Sequence, residues 1–182
     1  TAFRDRSIEV DDHGRGVPLG FNEAEGRWNW DLIYCELYAG GKYDNNKGDS
    51  AYEYSLGLNG LGACATQYSS EYMDVTVYKD GYKYDLHFEK GFNIGGLKKE
   101  KFDYKQSGTL QKWKPDLEVF TDIDIPLEYF QDTLKKQAVV NAGVKFILKK
   151  QNGKGFETFE YVYENGIEDY VKECVGENAL TS

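Results

Sequence analysis

The chain has 182 residues, of which 40% are hydrophobic and 15% aromatic, with a formal net charge of -9. That length and composition predict one folded domain and exclude a disordered chain. The acidity argues against a nucleic-acid surface of its own, because such affinity rests on neutralising phosphates, and the absence of any run of about 20 apolar residues argues against a membrane-spanning helix.

Ser7 to Asp11 alternates as a short strand, with Ile8 and Val10 on one face. A glycine-rich turn follows from Gly14 to Gly20. Trp30, Ile33, Tyr34 and Leu37 recur at helical spacing, which predicts a helix near residues 28–39 that Gly40-Gly41 ends. Lys42 to Tyr54 is polar and reads as a long loop. Gly57 to Gly62 leads into a predicted helix that continues to Tyr68. Residues near 72–79 and 82–90 read as two strands of a hairpin turning at Asp80-Gly81. Thr109 to Trp113 reads as a strand ending at Pro115. Pro126 opens a predicted helix to about Val140, and Asn141-Ala142-Gly143 closes it. A second hairpin forms around Asn152-Gly153, and a short helix runs near Ile167 to Cys174. Hairpins with interspersed helices predict an α+β sandwich, a sheet with helices on one face.

The three cysteines, Cys35, Cys64 and Cys174, are far apart and odd in number, which favours a reducing cytoplasm over a disulfide framework. No Cys/His group has zinc spacing. His13 and His87 stand without partners spaced for catalysis, and Glu23-Ala24-Glu25 reads as an exposed acidic turn rather than a metal site.

Two glycine motifs could carry chemistry. Asp12 ends the first strand and is followed by Gly14 and Gly16. A carboxylate there can accept a hydrogen bond from the exocyclic amine of adenine, and the glycines let backbone approach a flat ring. The same residues suit an ordinary strand-end turn. Gly57-Leu58-Asn59-Gly60-Leu61-Gly62 precedes a helix, where backbone N–H groups can face an anion. It is not a P-loop, since the Gly-Lys-Ser/Thr ending is missing. Lys42, after Gly40-Gly41, offers a cation on a flexible loop, although most lysines are simply solvated.

The order of these elements resembles the B subunit of bacterial type IIA DNA topoisomerases. Asp12-x-Gly-x-Gly-Val-Pro, Glu25-Gly26-Arg27, Tyr38-Ala39-Gly40-Gly41-Lys42-Tyr43, Gly57 to Gly62 and Ser107-Gly108-Thr109 follow that family's pattern. So do Trp113-Lys114-Pro115-Asp116, Asn141-Ala142-Gly143-Val144 and Tyr163-Glu164-Asn165-Gly166-Ile167. The resemblance implies a Bergerat-type (GHKL) two-layer sandwich with a mostly antiparallel sheet. It implies an incomplete ATP-binding domain over residues 1–165 and the start of a connection to a transducer domain over 166–182. Asp12 would accept the adenine amine, with Thr109 supporting a bridging water. Gly14 and Gly16 would approach the base, and Arg15 and Pro18 would line the pocket mouth. Lys42 and the stretch Gly57, Leu58, Asn59, Gly60, Leu61 and Gly62 would hold the phosphates. Lys79 would stand at the rim of the inhibitor pocket, and residues 43–56 would form the ATP lid.

Three positions depart from the pattern: Asn59 stands where the family usually has histidine, Leu56 where it has glycine, and His13 where it has aspartate or a similar residue. The family's catalytic glutamate and its Mg²⁺-binding asparagine would fall before Thr1, so the resemblance assigns neither role to this chain. It implies ATP and Mg²⁺ as cofactors, with the Mg²⁺ ligand outside the chain. It also implies the topoisomerase A subunit and DNA as partners of the whole enzyme, a homodimer of the full ATPase region, and a monomer for this piece. The competing expectation is a self-standing nucleotide-binding or regulatory module without catalysis. A chaperone or mismatch-repair ATPase of the same fold is disfavoured by Ala39-Gly40-Gly41-Lys42.

Overall fold

A computed structural model describes residues 1–43, 59–102 and 105–176. They fall into two compact units, one of Ser7–Ile123 and one that joins Thr1–Arg6 to the chain from Asp124 onward. The expected α+β class with a mostly antiparallel sheet is what the structure has. Among the described residues, no helix is long and apolar enough to cross a membrane.

The first unit is built on a six-stranded sheet. Its strands are β1 (Ile8–Asp12), β4 (Ser70–Lys79), β5 (Tyr82–Glu89), β6 (Phe92–Asn93), β7 (Lys98–Lys101) and β8 (Gly108–Pro115). The order is β1-β8-β4-β5-β6, and β7 also pairs with β5. All of these named pairs are antiparallel. The β4–β5 hairpin turns at Asp80 and Gly81, both left-handed at φ 53° and 76°, which is what a two-residue type I′ turn requires. A two-stranded ribbon, β2 (Phe21–Asn22) with β3 (Arg27–Trp28), completes the strands among the unit's described residues.

Alternation along β4 and β5 sends Met73, Val75, Val77, Leu86 and Phe88 to one face, where all five are buried. Helix α1 (Asn29–Cys35) lays Ile33 and Tyr34 on them, and Leu19 completes that core. The opposite face of the same strands carries Asp74, Thr76, Asp85 and His87. This one-sided burial makes the unit a sheet with a helical layer.

The expected helix over residues 28–39 is shorter than its periodicity implied. It stops at Cys35, and Glu36 is extended at φ -125° and ψ 124°. Tyr38 is left-handed at φ 62°, so the chain turns before the glycines. Gly40-Gly41 therefore does not end that helix but opens a separate four-residue turn, α2 (Gly40–Tyr43). Leu37, counted in the apolar stripe, is exposed for the same reason. Helix α3 (Gly62–Tyr68) follows the second glycine motif and buries Cys64 and Gln67. The polar stretch expected to loop after Lys42, and the lid expected at 43–56, lie outside the described residues from position 44.

The second unit contains α4 (Leu127–Val140), the hairpin β9 (Phe146–Asn152) with β10 (Gly155–Tyr161), and α5 (Ile167–Val175). Pro126 precedes α4 at φ -57°, suiting proline at a helix start. The β9–β10 turn centres on Gly153-Lys154, one residue later than the sequence suggested, with Gly153 at φ 60°. Leu148 and Ala138 are buried here, and Ala2 bridges to Lys150.

His87 has hydrogen-bond partners that its sequence spacing did not reveal. Its Nδ1 lies 2.6 Å from Asp74 Oδ1 and its Nε2 lies 3.2 Å from Glu89 Oε1. Asp74 sits directly across the hairpin, and its hydrogen bond chiefly raises the His87 pKa. A raised folded pKa adds stability that is complete below about 6.5 and is lost as pH rises through the folded value. His87→Gln should flatten the pH dependence of stability between pH 6 and 8, as read by urea unfolding at several pH values. Phe88→Ala should lower stability by about 3–5 kcal/mol at any of them, since Phe88 is 1% exposed in the core.

Candidate functional site

Asp12 is the last residue of β1 and pairs with Thr109 on β8, which in turn pairs with Val77 on β4. Val77 pairs with Tyr84 on β5. Directly opposed residues of antiparallel strands share a face. Asp12, Thr109, Val77 and Tyr84 thus form one cross-strand row on the face that carries α1. The sequence placed Asp12 and Thr109 in a single role, and the register brings them together across 97 residues of chain (109 minus 12).

The turn after Asp12 folds back over this row. Gly14 N–H donates to Asp12 Oδ1 at 2.8 Å, which pins the carboxylate. A Cβ on Gly14 would stand 2.9 Å from that same oxygen. Gly16 is left-handed at φ 73°, and a Cβ there would lie 2.8 Å from Val77 Cγ1. Val17 N–H donates to Thr109 Oγ1 at 3.1 Å. Thr109 is 3% exposed, so this bond satisfies a buried hydroxyl as an acceptor and leaves its O–H to donate elsewhere. Val77 is the member of this row that sequence reasoning missed. Its only signal was alternation, which marks core and pocket floor alike.

Arg15 is exposed, Pro18 is half-buried, and Lys79 is half-buried at the end of β4, next to Tyr78. The Tyr78 carbonyl oxygen would lie 3.2 Å from a Cβ on Gly16, so Lys79 follows directly on the floor of this turn.

A second cluster joins the two glycine motifs. Gly60 is left-handed at φ 65°, and a Cβ there would sit 2.4 Å from Gly40 N. Backbone thus meets backbone between the Asn59–Gly62 stretch and Ala39-Gly40-Gly41-Lys42. Asn59 is exposed, and Leu61 and Gly62 lead into α3. Gly57 and Leu58 lie outside the described residues. The Lys42 main chain is held at both ends, its N–H donating to Ala39 O at 2.8 Å and its carbonyl accepting from Asn22 Nδ2 at 2.8 Å.

The Lys42 ammonium donates to Glu36 Oε1 at 2.6 Å, and Glu25 Oε2 lies 3.7 Å away. Glu36 Oε2 accepts from Arg27 Nη1 at 2.5 Å, and Arg27 Nε donates to Asp31 Oδ2 at 2.7 Å. The hydrogen bond from Lys42 holds the Glu36 carboxyl below its usual range, and the same bond raises Lys42. Sequence reasoning missed Glu36, Asp31 and Asn22. Arg27 and Asp31 are four apart in the sequence, but Arg27 stands in β3 and Asp31 in the first turn of α1; Glu36 joins them from the extended segment past the helix.

Nucleophilic chemistry finds no support here. Burial pushes the Cys35 thiol up to about 12 and raises Cys64 as well, so both stay protonated near neutral pH. Among the described residues, no group of three or more His, Cys, Asp or Glu side chains is arranged to hold a metal ion.

Two glycine substitutions separate tight packing from open space. A Cβ on Gly108, at φ 141°, would fall 2.0 Å from Asp12 O. Gly108→Ala should cost about 2–6 kcal/mol from overpacking and backbone strain. At Gly62 nothing lies within 4 Å of the point a Cβ would occupy, and Gly62→Ala should leave stability within about 1 kcal/mol or raise it. Denaturant midpoints of the two variants measure the contrast.

Compared with models of known protein families, the chain matches none. Individual relatives do match. The B subunit of DNA gyrase from Rickettsia felis is 31% identical over 172 residues, covering 94% of this chain and 21% of the relative. The type 2 topoisomerase B subunit of Aquifex aeolicus is 34% identical over 173 residues, covering 94% and 21%. The B subunit of DNA topoisomerase 4 from Bacillus subtilis is 34% identical over 168 residues, covering 92% and 25%. The chain spans about a fifth to a quarter of the length of these curated relatives. With the cross-strand row and paired glycine motifs standing in the order that first suggested the resemblance, the chain belongs to the family of bacterial type IIA DNA topoisomerase B subunits.

Proposed function

We propose that this chain is the ATP-binding part of a type II topoisomerase B subunit. The observation that carries the reading is the row of Asp12 and Thr109 on the helix-bearing face, closed over by Gly14, Gly16 and Val17. Adenine offers an exocyclic amine donor beside ring-nitrogen acceptors. Asp12 Oδ1 already accepts from Gly14, so its second oxygen suits the amine. The Thr109 hydroxyl, an acceptor toward Val17, suits a water or ring nitrogen as a donor.

Lys42, Asn59, Gly60, Leu61 and Gly62 are the phosphate-holding group in this reading, supported by the backbone contact at Gly40 and Gly60. Arg15 and Pro18 flank the mouth and Lys79 its rim. Bound ATP would supply the triphosphate whose hydrolysis drives the passage of one DNA duplex through another in the whole enzyme. Mg²⁺, the A subunit, DNA and a cytoplasmic setting enter at the level of that whole enzyme. The family pattern assigns a general base and a metal ligand to no residue of these 182, so we expect binding without turnover from this chain alone. A steady-state ATPase assay tests that expectation, and turnover of several per minute would overturn it.

The base-reading role has its own test. Asp12→Asn replaces a pure acceptor with a mixed donor and acceptor. Affinity for ATP should fall about 10–100-fold, the range for a hydrogen bond to a charged group. Titration calorimetry measures it, with unchanged thermal unfolding as the control for folding. Equal affinity before and after the change would refute the assignment.

A further inference from the structure

We propose that Glu36 is a built-in competitor of nucleotide phosphate for Lys42, and that it sets how strongly the site favours a triphosphate over adenosine. The inference rests on the nucleotide reading above and deepens it.

The geometry is that of a switchable pair. Glu36 divides its carboxylate between two cations, Oε1 on Lys42 at 2.6 Å and Oε2 on Arg27 at 2.5 Å. Arg27 is itself fixed by Asp31, with Nη2 at 2.5 Å and Nε at 2.7 Å from Oδ2. When a phosphate oxygen takes Lys42, Glu36 is not left stranded, because Arg27 keeps hold of its other oxygen. The cost of release is therefore one hydrogen bond, not an unpaired carboxylate. The Lys42 backbone does not have to move either, since Ala39 and Asn22 anchor it.

The charge balance sets the direction of the effect. Arg27 and Lys42 face Glu25, Asp31 and Glu36, two cations against three carboxylates. Counted over these described residues, the cluster is net negative by one. A triphosphate approaching Lys42 must displace or neighbour Glu36, with Glu25 3.7 Å from the same ammonium. Adenosine carries no phosphate and meets none of this opposition. The side chains are partly open, 43% exposed for Lys42 and 27% for Glu36, so water screens the pair and its effect is moderate.

Removing the charge of Glu36 while keeping its shape should tighten triphosphate binding and leave adenosine alone. We expect Glu36→Gln to bind a non-hydrolysable ATP analogue roughly 3–5-fold more tightly, the range of a partly exposed ion pair. Glu36→Asp keeps the charge and should stay near the parent value, which guards against a packing effect of the first variant. Calorimetric titration of parent and both variants with the analogue and with adenosine reads the ratio of the two affinities. An unchanged or lowered analogue-to-adenosine ratio in Glu36→Gln overturns the competitor role while leaving the nucleotide site intact. Failure of the parent protein to bind either ligand overturns the nucleotide reading itself, and this inference with it.

Discussion

At Gly108 the backbone of β8 passes so close to the end of β1 that a single methyl group would fall 2.0 Å from the Asp12 carbonyl oxygen. This close approach fixes the register of the β1–β8 pair at the end that carries Asp12 and Thr109. A slip of β1 by one residue would turn Asp12 to the face opposite Thr109, away from α1. Because β8 also pairs with β4, the same register sets Val77 beneath Gly16. The candidate base pocket is in this sense a property of strand alignment. Its polar members are few, and the buried one, Thr109, is met by a backbone N–H rather than by another side chain.

The cluster around Lys42 follows a different logic. The chain is acidic overall, and Lys42, the proposed phosphate-holding cation, sits among carboxylates. Single ion pairs at this exposure contribute little to folding. Their effect here is on position and competition. Arg27 is the only described side chain that holds both Asp31 and Glu36, so it couples the start of α1 to the residue just past its end. The path from sequence to site therefore runs through a helix that stops early. Had α1 continued to residue 39, Glu36 would have remained on the helix instead of reaching Lys42 and Arg27 from an extended segment.

Much of the frame was legible because it rests on local signals. Asp80-Gly81 reads as a tight turn from two residues alone, and both adopt left-handed angles. Pro126 before an apolar stripe marks the start of α4. The alternation of β4 and β5 identifies their buried face. What could not be read were pairings across space. Asp74 and His87 are thirteen residues apart and meet only through hairpin register. Gly60 and Gly40 meet through a turn that no periodicity announces. Glu36 reads as an ordinary helical position, yet the helix ends at Cys35 and Glu36 is extended. The short strands β2, β6 and β7 were also invisible, since two to four residues carry too little pattern to separate strand from loop.

The bond from Val17 N–H to the Thr109 hydroxyl has a spectroscopic consequence. Val17 lies in irregular chain, where amides ordinarily exchange with solvent quickly. Its proton is nevertheless directed at a buried oxygen in the middle of the sheet. That amide is a single resonance whose chemical shift and exchange rate report on the pocket floor without any probe being attached. It would register a ligand over Thr109 even where the ligand touches no side chain of the turn.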